Sequence, residues 1–161
     1  MIKINLITIG KLKEKYWRDA CSEYAKRLSS SCKLEIIELA ESRLPDKPSE
    51  KEIASALERE AKAILPYCEK SHSVSIAMCI EGKQLASIQL ADTIQSFSTQ
   101  GFSTVNFIIG SSFGLSDTIK NKCRLKLSMS EMTFPHQLAR VMLLEQIYRC
   151  FQILSGTSYH K

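Results

Sequence analysis

The stretch Phe107-Ile108-Ile109-Gly110-Ser111-Ser112-Phe113-Gly114-Leu115-Ser116-Asp117 decides the fold class. The apolar run 105–109 is typical of a strand buried on both faces of a sheet, and it stops at Gly110. Small residues follow, and Ser116 and Asp117 then provide the start of a short helix. A strand that continues through a small-residue loop into a helix is characteristic of a parallel α/β sheet.

The same switch of hydrophobic period, between that of a strand and that of a helix, recurs along the whole chain. It predicts strands at 2–9, 33–39, 74–80, 105–109 and 124–128, and helices at 14–29, 50–65, 87–98, from about 116, and 135–154. Ser49 and Glu52 have capping-box spacing at the second helix. The prediction is a single-domain α/β protein over 1–161, with a mostly parallel sheet and helices on both faces.

Ligands of parallel sheets bind beyond the carboxyl ends of the strands. That rule directs attention to three loops, at 81–83, 110–116 and 129–135. The middle loop carries only Gly110 and Gly114, and it comes late in the chain, which disfavours the glycine pattern of a Rossmann dinucleotide site. Taken alone, this loop is better explained as a tight strand–helix turn than as a ligand-binding loop.

Composition excludes some classes of protein but does not identify the function. The 161 residues have a net charge of +5 and no apolar run long enough for a membrane span. The six cysteines form no C-x-x-C pair and have no metal-ligand spacing, so we expect reduced thiols in a cytoplasmic protein without a metal. The basic excess is partly local, at Lys11, Lys13, Lys15 and Arg18, and fits either a polyanionic partner or a solvated helix start.

The final helix carries two polar residues on its apolar side. Its wheel places Glu145, Arg149 and Gln152 on a solvated side, opposite Leu143, Ile147 and Leu154. Helical spacing extends the apolar side back to Arg140 and His136, beside the loop 129–135. Either these two side chains extend into solvent, or this end of the helix lines a ligand pocket or a subunit interface. A buried arginine needs an anionic or carbonyl partner.

The carboxyl-terminal tail, Ser155–Lys161, ends in Tyr159, His160 and Lys161. Termini are commonly frayed. A tyrosine can nevertheless stack on a base, a histidine can move a proton near neutral pH, and a lysine can meet phosphate.

These segments resemble one known family. The runs that carry the likeness are 132–140 (Met-Thr-Phe-Pro-His-Gln-Leu-Ala-Arg), 144–149 (Leu-Glu-Gln-Ile-Tyr-Arg), 159–161 (Tyr-His-Lys), 10–14 (Gly-Lys-Leu-Lys-Glu) and 80–83 (Ile-Glu-Gly-Lys). They are similar to the bacterial ribosomal large-subunit methyltransferase H family, of the SPOUT (α/β-knot) superfamily. The likeness covers essentially the whole chain.

The resemblance implies a carboxyl-terminal trefoil knot, a homodimer and S-adenosyl-L-methionine (SAM) as the cofactor, with S-adenosylhomocysteine as product. It also implies methylation at N3 of a pseudouridine in 23S rRNA, on the large subunit or the assembled ribosome. By motif position, the expected SAM contacts are Met78, Gly110, Met129, Ser130, Glu131, Met132, Thr133 and Phe134. The chain departs from the family at Ser111, usually a second glycine, and at Phe113, usually small or polar.

For catalysis, we hypothesise that His160 helps remove the N3 proton, that Tyr159 holds the base, and that Arg140 supports the site electrostatically. Two alternatives stay open. One is a SPOUT methyltransferase that acts on tRNA or on another rRNA site. The other is a non-catalytic RNA-binding homologue that no longer binds SAM.

Overall fold

The computed structural model describes residues 1–161 as ten alternating strands and helices. Their bounds are β1 Lys3–Ile9, α1 Lys15–Leu28, β2 Lys33–Leu39, α2 Glu50–Cys68, β3 Ser73–Gln84, α3 Ser87–Thr99, β4 Thr104–Ile109, α4 Asp117–Lys122, β5 Leu125–Ser128 and α5 His136–Leu154. The predicted alternation is therefore confirmed.

The five strands form one sheet in the order β2-β1-β4-β3-β5, and every neighbouring pair is parallel. Burial is greatest in the central strand, β4. All six residues of β4 are buried, as the run 105–109 predicts, whereas the edge strand β2 has no fully buried residue. This order brings the carboxyl ends of β4, β3 and β5 side by side.

Helices cover both faces of the sheet. On one face, α1, α3 and α5 close a core of 21 buried residues that includes Phe107 and Leu144. On the other face, α2 and α4 close a core of eight buried residues around Ile108 and Ile119. The predicted capping box begins α2, where the Ser49 hydroxyl accepts from the Glu52 amide and the Glu52 carboxylate accepts from the Ser49 amide.

Several boundaries differ from the predictions, and three of these differences involve a glycine or a proline. The segment 81–83, expected as a turn, lies within β3, which resumes pairing with β5 after a register shift between Met78 and Lys83. Gly82 permits this close pairing, because a Cβ there would lie 2.7 Å from the Lys126 backbone. Helix α2 continues three residues past the expected end, through Pro66. Pro135 is the extended N-cap of α5 rather than its first residue.

No helix of the structure combines the length and the apolar character needed to cross a lipid bilayer. No three His, Cys, Asp or Glu side chains lie together as metal ligands would. The trefoil knot implied by the family resemblance stays a prediction.

Cys68, at the end of α2, is the most acidic thiol of the protein. A hydrogen bond with Cys123 and a weaker one with Ser75 lower the pKa of Cys68 to about 7 against the effect of burial, while the bond with Cys68 raises the pKa of Cys123. Burial raises the pKa of Cys32 to about 11 and that of Cys150 to about 12.

We therefore expect iodoacetamide to alkylate Cys68 before the other five cysteines. Because the thiolate is the nucleophile and the pKa of Cys68 is lowered, the rate at Cys68 should rise with pH through a lower midpoint than the rates at the other cysteines. Mass spectrometry of tryptic peptides measures the labelling of each site. In Cys123→Ala the stabilising hydrogen bond is gone, and the midpoint should move upward. Equal midpoints in the two proteins would contradict this assignment.

Candidate active site

A cavity of about 840 Å³ opens at the carboxyl ends of β3, β4 and β5. Its walls come from the end of β3, from the loop after β4 and from the segment between β5 and α5. Seven of the eight expected SAM contacts line it: Met78, Gly110, Met129, Ser130, Met132, Thr133 and Phe134. Glu131 does not line it and is exposed. His136, from the apolar side of the α5 wheel, does line it.

The loop after β4 is a closed turn with little room to deform. The amide of Gly114 donates to the Ser111 carbonyl at 2.8 Å. A Cβ on Gly110 would lie 2.5 Å from the Gly114 carbonyl carbon and closer still to its oxygen. Gly110 is therefore required by the packing of the turn on itself. Ser111, where the family usually has glycine, also lines the cavity.

The segment 129–134 differs from this turn, because most of its backbone amides and carbonyls form no hydrogen bond within the protein. Ser130 is bonded twice, with its carbonyl accepting from the Ser128 hydroxyl at 2.9 Å and its hydroxyl accepting from the Met132 amide at 3.0 Å. No residue of 129–134 forms a backbone–backbone hydrogen bond. The other amides and carbonyls of this wall are thus available to a ligand.

An ion pair between Lys120 and Glu81 stands in the wall of the cavity. The hydrogen bond with Lys120 lowers the pKa of Glu81, and the bond with Glu81 raises the pKa of Lys120. Both side chains therefore carry charge at neutral pH. Their opposite charges cancel, so Lys120 and Glu81 add no net charge to the cavity wall.

Arg140 is buried away from the cavity walls, with its side chain 2% exposed. Its Nη1 donates to the Glu38 carboxylate at 2.8 Å and its Nη2 donates to the Gly10 carbonyl at 3.3 Å. The same carboxylate accepts from the Leu12 amide at 3.3 Å. Arg140 therefore joins the start of α5 to β2 and to the basic segment after β1, and it acts as a positioning residue.

Replacing Arg140 with methionine should lower the free energy of unfolding. The change leaves the Glu38 carboxylate, whose side chain is 33% exposed, without its cation. We expect a loss of about 2–3 kcal/mol, below the value for a fully buried pair because Glu38 retains some water. Urea denaturation measures it. Arg27→Met, in an exposed pair with Glu23, is the matched control and should have little effect. Equal losses in the two variants would refute this role for Arg140.

The tail folds back on α5 and covers the side of the helix that the wheel predicts to be solvated. The Tyr159 hydroxyl donates to Glu145 at 3.2 Å, and Arg149 approaches His160 Nδ1 to 3.4 Å. Arg149 also donates to Glu145, at 2.6 Å, and lies 4.8 Å from the centre of the Tyr159 ring. Burial and the hydrogen bond with Glu145 raise the pKa of Tyr159.

The prediction of a solvated polar side is therefore wrong for Glu145 and Arg149, whose side chains are 18% and 26% exposed. Their spacing and opposite charges indicate an i,i+4 pair, but nothing local shows that the tail covers it. The structure also separates the hypothesised catalytic residues within one chain. Tyr159 and His160 contact Glu145 and Arg149, Arg140 contacts Glu38, and none of the three lines the large cavity.

A second cavity, of about 420 Å³, is lined by residues of β3, β5, α3 and α5. Glu145, which anchors the tail, is one of its lining residues. It shares four wall residues with the large cavity: Met78, Leu127, Ser128 and Met129. The Glu145 carboxylate, which accepts from Tyr159, therefore lies on a cavity that borders the large one.

Comparison with known proteins identifies the family. The family model described as "Predicted SPOUT methyltransferase" matches residues 2–160. The chain is 48% identical over 160 residues to ribosomal RNA large subunit methyltransferase H of Clostridium botulinum (strain Kyoto / Type A2), covering 99% of this chain and 100% of that protein. It is 49% identical, with the same coverage, to the enzyme of that name from Clostridium beijerinckii.

A solved structure agrees with the fold. The structure described as giving insights into the 2-OH methylation of C/U34 on tRNA aligns with a TM-score of 0.51 at 11% identity. The alignment covers 96% of this chain and 98% of that one. Since the match with the family model and the identity to these relatives extend along almost the whole sequence, this chain belongs to the SPOUT methyltransferase family, within its ribosomal RNA large subunit methyltransferase H group.

Proposed function

We propose that this chain is a SAM-dependent methyltransferase of large-subunit ribosomal RNA, and that it methylates N3 of a pseudouridine. The observation that carries the proposal is the cavity at the carboxyl ends of β3, β4 and β5, in a chain of this family. Parallel sheets bind their ligands at that edge. The finer assignment of the base rests on the family resemblance of the motifs at 132–140 and 159–161.

The walls of the cavity fit SAM. Eleven of its 23 lining residues are hydrophobic, which suits the flat faces of an adenine ring and the aliphatic chain of an amino acid. The uncommitted backbone groups of 129–134 suit the polar edges of the same two parts. Met78, Gly110 and the segment 129–134 would hold the cofactor. When bound, SAM supplies a methyl group activated by the positive charge on its sulfur.

The protein's task is then to align the nucleophile and to manage one proton. N3 of a uracil ring is an imide nitrogen, and it is a poor nucleophile until its proton leaves. N3 also lies on the base-pairing edge, so the nucleotide must be unpaired or extruded before it can react. We propose that the tail supplies the groups that receive this base.

His160 and Tyr159 are the proposed catalytic residues. When Arg149 donates to Nδ1 of His160, Nε2 carries the ring proton and can donate to a uracil carbonyl oxygen. That bond stabilises the imide anion that forms as N3 is deprotonated, which is how His160 would assist proton loss. Tyr159, fixed between Glu145 and the Tyr148 ring at 4.9 Å, would hold the base. Arg140 would support the site only through the position of α5 and the loop at Gly10.

The proposal includes a homodimer. Tyr159 and His160 do not line the large cavity of their own chain. A second copy provides a direct way to bring a tail to a cavity, since a two-fold axis presents the tail of each subunit to its partner.

Transfer of a labelled methyl group from SAM to purified large subunits, assembled ribosomes and tRNA tests the function. We expect label in large-subunit rRNA, and mass spectrometry should find methylpseudouridine that is missing from cells without the protein. Label in tRNA alone would favour a different SPOUT activity. Absence of SAM binding in calorimetry would instead favour the non-catalytic RNA-binding homologue.

A further inference from the structure

Three large apolar side chains that the protein leaves exposed lie around one opening. Six such side chains exist in the chain, and three of them, Ile80, Phe113 and Met132, belong to the walls of the large cavity. They are 50%, 48% and 72% exposed. Single exposed apolar residues are common on protein surfaces, whereas a group around a cavity indicates a binding surface. We call these three residues the apolar rim.

Each member of the apolar rim belongs to a different strand or to the segment that follows it. Ile80 lies in β3, Phe113 in the closed turn after β4, and Met132 in the segment that follows β5. The hydrogen bond from the Gly114 amide to Ser111 fixes the turn that carries Phe113. The aromatic ring is therefore presented by a defined backbone, and about half of its surface is available for contact.

Cations accompany the apolar rim. Lys83 and Lys126 are exposed, form no ion pair, and lie on β3 and β5 next to the cavity, where Lys83 pairs in register with Leu127. Lys120, and more weakly Lys126, lower the pKa of Glu81 in the cavity wall, so Lys126 acts on the same region. An exposed aromatic ring at a cavity whose flanking strands carry free cations is a combination suited to single-stranded nucleic acid, which binds through stacking and phosphate attraction together.

We propose that the apolar rim, with Phe113 as its stacking side chain, holds an unpaired base of the RNA substrate at the mouth of the cavity. The inference rests on the proposed function, because a base that leaves its stack to be methylated needs a new surface. The inner wall, with Ile109, Leu115 and Leu127 all buried, suits the cofactor. The exposed rim is where a substrate arriving from solvent makes its first contact.

The test compares Phe113→Ala with Phe113→Tyr. Fluorescence anisotropy with a labelled single-stranded oligouridine measures RNA binding, and calorimetry measures SAM binding. We expect the Kd of Phe113→Ala for the oligonucleotide to rise about tenfold, the loss of one base–aromatic stack, and Phe113→Tyr to bind like the unaltered protein. SAM affinity should stay within about twofold in both, because the ring lies outside the inner wall. Ile88→Ala, 50% exposed but outside the cavity, is the matched control and should change neither.

Three outcomes would overturn the inference. Weaker SAM binding with unchanged RNA binding would assign the ring to the cofactor. Unchanged binding of both ligands, or no binding of the oligonucleotide by the unaltered protein, would remove the rim from RNA recognition. Failure of the proposed function has a separate signature, which is the absence of methyl transfer to rRNA by the unaltered protein. The binding measurements do not depend on that transfer.

Discussion

Removal of Tyr159–Lys161 should lower methyl transfer to large-subunit rRNA by at least about a hundredfold, the lower end of what one positioned donor to a developing anion contributes. The deletion takes away the His160 imidazole and the Tyr159 ring together. Both are held against α5 by Glu145 and Arg149, so their loss should leave the packing of the sheet intact. SAM affinity should be unchanged, because no tail residue lines the large cavity. Single-turnover transfer and calorimetry measure the two quantities separately.

Two further variants sharpen this prediction. Lys161→Ala keeps both proposed catalytic side chains and should retain nearly full turnover. Glu145→Gln removes the charge that accepts from Tyr159 and Arg149, and it should give a loss between those of the control and the deletion. Near-normal turnover in the deletion would contradict the assignment of Tyr159 and His160. A loss of SAM binding in the deletion would instead assign the tail to the cofactor site.

The sequence was sufficient to predict what short-range patterns determine. The bounds of β2 match the structure and those of α3 differ by one residue, because hydrophobic period, breakers and caps all act within a few residues. The wheel of the last helix placed two residues on its buried side. His136 lines the cavity there, and Arg140 is buried.

Short-range patterns could not predict the contacts between segments that are distant in the sequence. The partner of Arg140 is Glu38, 102 residues away in sequence. The helical wheel therefore predicted that Arg140 needs an anionic partner, but it could not identify which residue that is. Likewise β3 continues through Gly82 only because β5 pairs with it there. The solvated side of α5 was mispredicted for the same reason, since the tail that covers Glu145 carries no periodic signal. SAM and pseudouridine follow from the family resemblance alone.

Gly110→Ala should weaken SAM binding by at least about tenfold and cost about 1–3 kcal/mol of stability, as overpacking does. The added Cβ would overlap the carbonyl group of Gly114, which is backbone and cannot rotate away. The turn must open, and the wall of the cavity opens with it. Calorimetry with SAM and thermal unfolding measure the two effects. Ser98→Ala, an exposed position of α3 that lines neither cavity, is the control and should change neither. Unaltered SAM affinity in Gly110→Ala would contradict the placement of the cofactor.

The two variants together test whether, in the proposed homodimer, the tail acts on its own chain or on its partner. When the tail deletion and Gly110→Ala are mixed and allowed to exchange subunits, each mixed dimer contains one intact cavity and one intact tail, on different chains. If a tail completes the cavity of its partner, one site in each mixed dimer is whole, and about a quarter of normal activity should return. If a tail serves its own chain, neither site is whole, and the mixture should be no more active than the average of the two variants, each measured alone at the same SAM concentration, too low to fill the Gly110→Ala site. Since Tyr159 and His160 do not line the cavity of their own chain, we expect the activity to return.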